Sequence, residues 1–163
     1  RHVLDIFSAS EKLMSMNDET WARHANPWSV YTRASCLPLI ALAIWSRVWL
    51  GWWALVPLIL GIVWTWLNPR LFGPPANLDH WASKGVMGER VFLNRKVEGV
   101  AAHHVRMAII LTILSAVGAI ILLYGLIVLD VWAVICGLAV SIGHKLWFVD
   151  RMVWILQDAE HTR

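Results

Sequence analysis

The chain has 163 residues, 58% of them hydrophobic and only 15% charged, with a formal net charge of +3. An ordinary soluble domain is about a quarter charged. One core of this length cannot bury so much apolar surface, so the composition excludes a simple soluble domain and makes a bilayer the expected solvent.

Residues 1–25 are mixed, expected as a tail or as a short interfacial helix with Val3, Leu4, Ile6, Phe7, Leu13 and Met14 on one face. They carry charges and no apolar h-region, so no cleavable signal peptide is expected. Arg1 stands where an initiator Met is expected, which suggests a native start further upstream. "NDET" at 17–20 reads as a cap or turn.

Asn26 and Pro27 predict a helix start, the asparagine as N-cap and the proline at the first helical position, where its missing N–H costs nothing. The apolar run that follows is interrupted only by Arg47, with Pro38 as a candidate kink. Gly51 offers a turn, and a second apolar run ends at Asn68-Pro69, because the residue before proline avoids the helical region. Both runs are short for a bilayer that needs about 20 helical residues, so snorkelling by Arg47 or local thinning is expected.

Residues 69–103 are the only long polar segment, broken by "GPP" at 73–75, with a short interfacial helix predicted over 79–93. Met107 to Leu129 is uncharged and long enough to cross. A last run starts near Val131, directly after Asp130. The predicted fold class is all-α: a multi-pass bundle of four transmembrane helices in two hairpins. The spans fall at about 27–50, 52–68, 105–129 and 131–154, inside a membrane domain 26–157 with a tail at 158–163. The twelve tryptophans cluster near the ends of these runs, as an interfacial belt requires. Cys36 and Cys136 fall near opposite faces, too far apart for a disulfide. The hairpin tips hold only Arg47 and Asp130, while the other basic residues flank the remaining span ends. The positive-inside rule then predicts a cytoplasmic (inner) membrane protein with both termini and the central loop in the cytoplasm.

All candidate chemistry gathers at that cytoplasmic boundary. The basic residues Arg33, Arg70, Lys84, Arg90, Arg95, Lys145 and Arg151 suit an anion, a lipid headgroup or a partner surface, with backbone N–H groups near Gly85 and Gly88 as further donors. "SKGVMGE" lacks the order of a P-loop. Glu89 and Asp150 are expected to pair with nearby arginines, since unpaired charges near lipid are costly. His144, Trp147, Arg151 and Trp154 share a helical stripe. A metal set of His80, His103, His104 and His144 is the competing reading, weakened because adjacent histidines on a helix point about 100° apart. No metal or cofactor is therefore predicted, and a bound phospholipid is.

"ANPWSVYTR" (25–33), "WTWLNPRLFGPP" (64–75), "WASKGVMGERVFLNR" (81–95) and "KLWFVDRMVW" (145–154) together resemble a family of small, uncharacterised bacterial and archaeal integral membrane proteins. The resemblance covers roughly residues 18–157 and implies a multi-pass membrane domain of unknown function, with no activity or cofactor attached. It marks Arg33, Arg70, Lys84, Glu89, Arg90, Asp150 and Arg151 as positions inside the recurring motifs.

The leading expectation is a non-enzymatic binding or accessory membrane protein. Its basic platform would engage anionic headgroups or a larger membrane complex, and a homo-oligomer stays open. No nucleic acid is expected, because the basic residues flank apolar spans. The alternatives are a small membrane enzyme built on the His/Glu/Asp set, metal-dependent or acting on a lipid-linked phosphate, and small-solute transport through an oligomer.

Overall fold

A computed structural model of the protein describes residues 18–162. The expected face of Val3 to Met14 lies outside them. The described residues are helical with no strand: α1 (Asp18–His24), α2 (Pro27–Ala34), α3 (Cys36–Trp45), α4 (Arg47–Leu50), a 3₁₀ turn (Gly51–Ala54), α5 (Leu55–Leu71), α6 (Trp81–Leu93), α7 (Arg95–Glu98), α8 (Ala102–Val128) and α9 (Val131–Thr162).

Three stretches are long and apolar enough to cross a membrane: Pro27–Leu71, Ala102–Val128 and Val131–His161. Their surfaces are apolar and outward-facing, with Trp52 87% and Trp132 78% exposed. Such surfaces are stable against lipid and not against water.

Local chemistry explains the helix boundaries. Asn26 Oδ1 accepts from Trp28 N at 3.0 Å, and Pro27 opens α2 as predicted. The helix breaks at Ser35, four residues after Tyr31 and three before Pro38, whose ring clashes with the carbonyl of Ala34. Gly51 takes a φ of +54°, a conformation that favours glycine. Asn68-Pro69 does not end the second run. The helix continues to Leu71, because Pro69 falls in the last turn and forfeits a single backbone bond there. Asn68 is fully buried, accepting from Ser29 Oγ at 3.2 Å and donating to Thr32 Oγ1 at 2.7 Å. Further along the same pair of segments, Ile40 lies against Gly61. Asp130 caps α9, its carboxylate accepting from Trp132 N at 2.9 Å and Ala133 N at 3.2 Å. That helix runs unbroken through 158–162, where a tail was expected.

The segment "WASKGVMGER" is helical, within the stretch predicted as a helix over 79–93. It is most of α6, and α6 is packed on two sides. Gly85 faces Val149 and Gly88 faces the backbone of Met152 on α9. Phe92 joins Ala108, Leu111, Phe148, Met152 and Ile155 in a core shared by α6, α8 and α9. On its other side Val86 packs with Trp21 and Ala25, and Ser83 Oγ donates to Ala25 O at 2.6 Å. Helices α8 and α9 meet through small residues, with Gly118 against Ser141, Gly125 against Val134 and Gly137 against Leu122. A third core of Ala41, Leu122 and Leu126 ties α3 to that pair. Arg47 completes the tie by donating to Leu126 O at 2.5 Å and Ile127 O at 3.0 Å. These carbonyls end α8 and have no helical partner, so a cation is favoured there.

Candidate functional site

Arg33 sits in the last turn of α2, one turn beyond the buried Ser29. Its neighbours come from α8 and α9, where Ser141, Lys145 and Val149 repeat at helical spacing on one face. Together they line an open-sided cavity of about 170 Å³, with Arg33, Ser115, Ser141 and the exposed Lys145 among aliphatic side chains. That volume is below the range of about 300–1,000 Å³ usual for small-molecule sites.

The electrostatics of this cavity are unbalanced. Arg33 Nη1 contacts His24 Nε2, while Nε and Nη2 are buried with no hydrogen-bond partner. A buried N–H without an acceptor is costly, about 1–3 kcal/mol and more where the group is charged. Lys145 Nζ stands 4.0 Å from Glu89 Oε1 and 4.5 Å above the Phe148 ring. Two cations and one carboxylate leave one positive charge in excess. Ser115 Oγ donates to Ser141 O at 3.0 Å.

His24 belongs to the same assembly and sequence reasoning missed it. It is 7% exposed, and Trp21 meets its ring edge-on at 5.6 Å. Burial pushes its pKa down to about 2, and the charges of Arg33 and Lys145 act in the same direction. The ring is therefore neutral. A guanidinium only donates, so Nε2 is the lone-pair nitrogen and Nδ1 carries the proton. The nearest signal in the sequence was its place nine residues before Arg33.

The other expected basic residues do not converge on this cavity. Arg70 lies 4.0 Å above Trp66 and donates to Trp66 O at 2.5 Å. Arg90 pairs with Asp18. Arg95 covers Phe92 at 5.0 Å and donates to its carbonyl at 3.1 Å. Arg151 lies 6.0 Å from the Trp154 ring, with its Nε buried and without a hydrogen-bond partner. Lys84 is half-buried on α6. Gly85 and Gly88 are interior to α6, so their N–H groups are not the loop donors that the sequence suggested. Asp150 is held by an indole: Trp81 Nε1 donates to Asp150 Oδ1 at 2.9 Å, in place of the expected arginine.

Of the four histidines weighed as a metal set, His80 and His144 stand apart from the other two. His80 caps α6, its Nδ1 accepting from Ala82 N at 3.2 Å, and meets Tyr31 edge-on. His144 Nδ1 lies 2.7 Å from Val140 O, and its ring stacks on Trp147. His103 and His104 stay together with ring centroids 4.1 Å apart. Asp158 on α9, which the sequence did not single out, reaches His104 Nε2 at 2.8 Å.

No curated protein and no solved structure matches this chain. Residues 6–162 match a family of unknown function, DUF6653, and with nearly its whole length inside that match the chain belongs to the DUF6653 family.

Proposed function

We propose that this protein is a four-span bundle of the cytoplasmic membrane that binds an anionic phospholipid headgroup in the Arg33–Lys145 cavity. Its role is binding or accessory rather than catalytic. The observation that carries the reading is the pair of buried, unpartnered N–H groups of Arg33 beside Lys145. A phosphodiester supplies acceptor oxygens in the planar geometry that a guanidinium fits. Its single negative charge equals the excess left after Glu89. The aliphatic wall formed by Val30, Leu37, Ile142 and Leu146 suits the first carbons of an acyl glycerol.

The span count rests on the order of contacts. Asn68 meets Ser29 while Gly61 meets Ile40, which is how two antiparallel helices pair. The Pro27–Leu71 stretch then crosses twice, folding back at residues 46–54. Gly118–Ser141 and Gly125–Val134 pair in the same antiparallel sense, giving a second hairpin. The end that holds Arg33, Arg70 and Lys145 carries most of the basic charge and is the cytoplasmic one.

Native mass spectrometry in detergent tests the binding with phosphatidylglycerol, phosphatidylcholine and inorganic phosphate as separate probes. Phosphatidylglycerol is expected to be retained at least about tenfold more than phosphatidylcholine, the worth of one charge-assisted contact. Arg33→Gln and the half-exposed Lys145→Gln should each remove that preference. Equal retention of the two lipids by the parent protein, or an undiminished preference in both variants, overturns the reading. Retention of inorganic phosphate alone replaces the lipid by a soluble anion.

A further inference from the structure

Where α8 begins and α9 ends, three groups with metal-ligating atoms stand together. His103, His104 and Asp158 each offer one such atom, and these atoms lie within 4.8 Å of one another. From the sequence His103 and His104 looked ill-placed for joint work, since neighbours on a helix diverge. They are residues two and three of α8, at its open first turn, and their rings come within 4.1 Å, tilted by 37°. The carboxylate comes from the opposite helix, 54 positions along the chain from His104.

His104 sets this cluster apart from a chance surface group. It is 3% exposed, its Nε2 faces Asp158 Oδ2, and its Nδ1 is buried with no hydrogen-bond partner. Its Nε2 faces the Asp158 carboxylate with a second imidazole alongside. Two imidazoles and one carboxylate are the donor set of borderline first-row divalent ions, and not of calcium or magnesium, which take oxygen ligands.

We infer that His103, His104 and Asp158 form a binding site for a divalent transition-metal ion of the zinc type. Donor atoms at about 2.0–2.1 Å from a tetrahedral metal lie about 3.3 Å apart. The exposed side chains of His103 and Asp158 swing inward to reach that spacing, while the buried His104 is the fixed ligand. Three protein ligands leave one position for water, as in zinc sites that do chemistry. The site is independent of the Arg33 cavity. Helix α8 rises about 16 Å between His104 and Ser115. A bound ion also clamps the two longest helices at their ends, beyond the small-residue contacts that pair them.

The test uses the full chain without a polyhistidine tag, Zn²⁺ as probe, and two readouts: native mass spectrometry for stoichiometry and calorimetry for affinity. One Zn²⁺ per chain is expected. His103→Gln and Asp158→Asn, both at exposed positions, should each weaken binding at least about tenfold. His104→Gln should abolish it. Circular dichroism confirms that each variant keeps the parent's helix content, and His103→Gln and Asp158→Asn carry the decision where His104→Gln fails to fold. His80→Gln and His144→Gln should bind as the parent does. Absence of binding in the parent at micromolar Zn²⁺ overturns the proposal. So does undiminished binding in both His103→Gln and Asp158→Asn, or equal loss in His80→Gln.

Discussion

His24 and Arg33 are held in a relation that pH disturbs. The imidazole is neutral in the folded chain because burial, then Arg33 and Lys145, push its pKa down to about 2 from 6.5. A base whose pKa is lower folded than unfolded binds more protons in the unfolded state. Its contribution to stability is therefore whole above pH 6.5 and is lost progressively as pH falls towards 2. The loss is at most about 1.4 kcal/mol per pH unit. Thermal unfolding in detergent should show a lower midpoint at pH 5 than at pH 7.5, and His24→Gln should flatten that dependence. Identical slopes for the parent and His24→Gln would mean that the histidine protonates in place. A single chain leaves such a relation illegible. Arg33 was visible as a cation inside a motif, but nothing local tells that a histidine on the preceding helix occupies one of its N–H groups.

Helix α6 was the stretch whose role the sequence left most open, and its glycines answer the question. A Cβ on Gly88 would fall far inside van der Waals contact distance of the Met152 carbonyl oxygen, and one on Gly85 would stand 2.5 Å from Val149 Cγ1. Met152 O is backbone and cannot turn away, so Gly88→Ala pushes α6 off α9. The expected cost is about 1–3 kcal/mol. Gly143 has nothing within 4 Å of its Cβ position, so Gly143→Ala should be neutral or stabilising by up to about 1 kcal/mol through helix propensity. Midpoints of the two variants that move in the same direction would refute this account of the α6–α9 contact. The predicted helix over 79–93 and the start at Asn26-Pro27 were legible because capping and periodicity are local signals. The partners of Gly88 were not, since Met152 is distant in sequence and no periodicity of α6 points to it. The same holds for Asp158 beside His104. Pro69 misled in the opposite way: it was read as a stop, but in the last turn of α5 it removes one bond and the buried Asn68 anchors the turn.

At the scale of the molecule the contacts sort into two ends. Arg47 reaches Leu126 O and Ile127 O, which brings the 46–54 segment beside Leu129 at the end of α8. At the other end Asn26 Nδ2 donates to Gly73 O at 2.9 Å and Arg23 Nη1 to Arg70 O at 3.3 Å. Residues before the first apolar stretch and residues after it are thus neighbours, as the proposed double crossing of Pro27–Leu71 requires. Four crossings predict a definite labelling pattern. In a Cys36→Ala, Cys136→Ala background, Glu19→Cys and Asn77→Cys should resist a membrane-impermeant maleimide on whole cells and react after permeabilisation. Asp130→Cys should react from outside without permeabilisation, at a cap cost of about 1 kcal/mol that the bundle tolerates. Three crossings would put Glu19 and Asn77 on opposite faces. That outcome would break the Asn26–Gly73 contact as well as the span count.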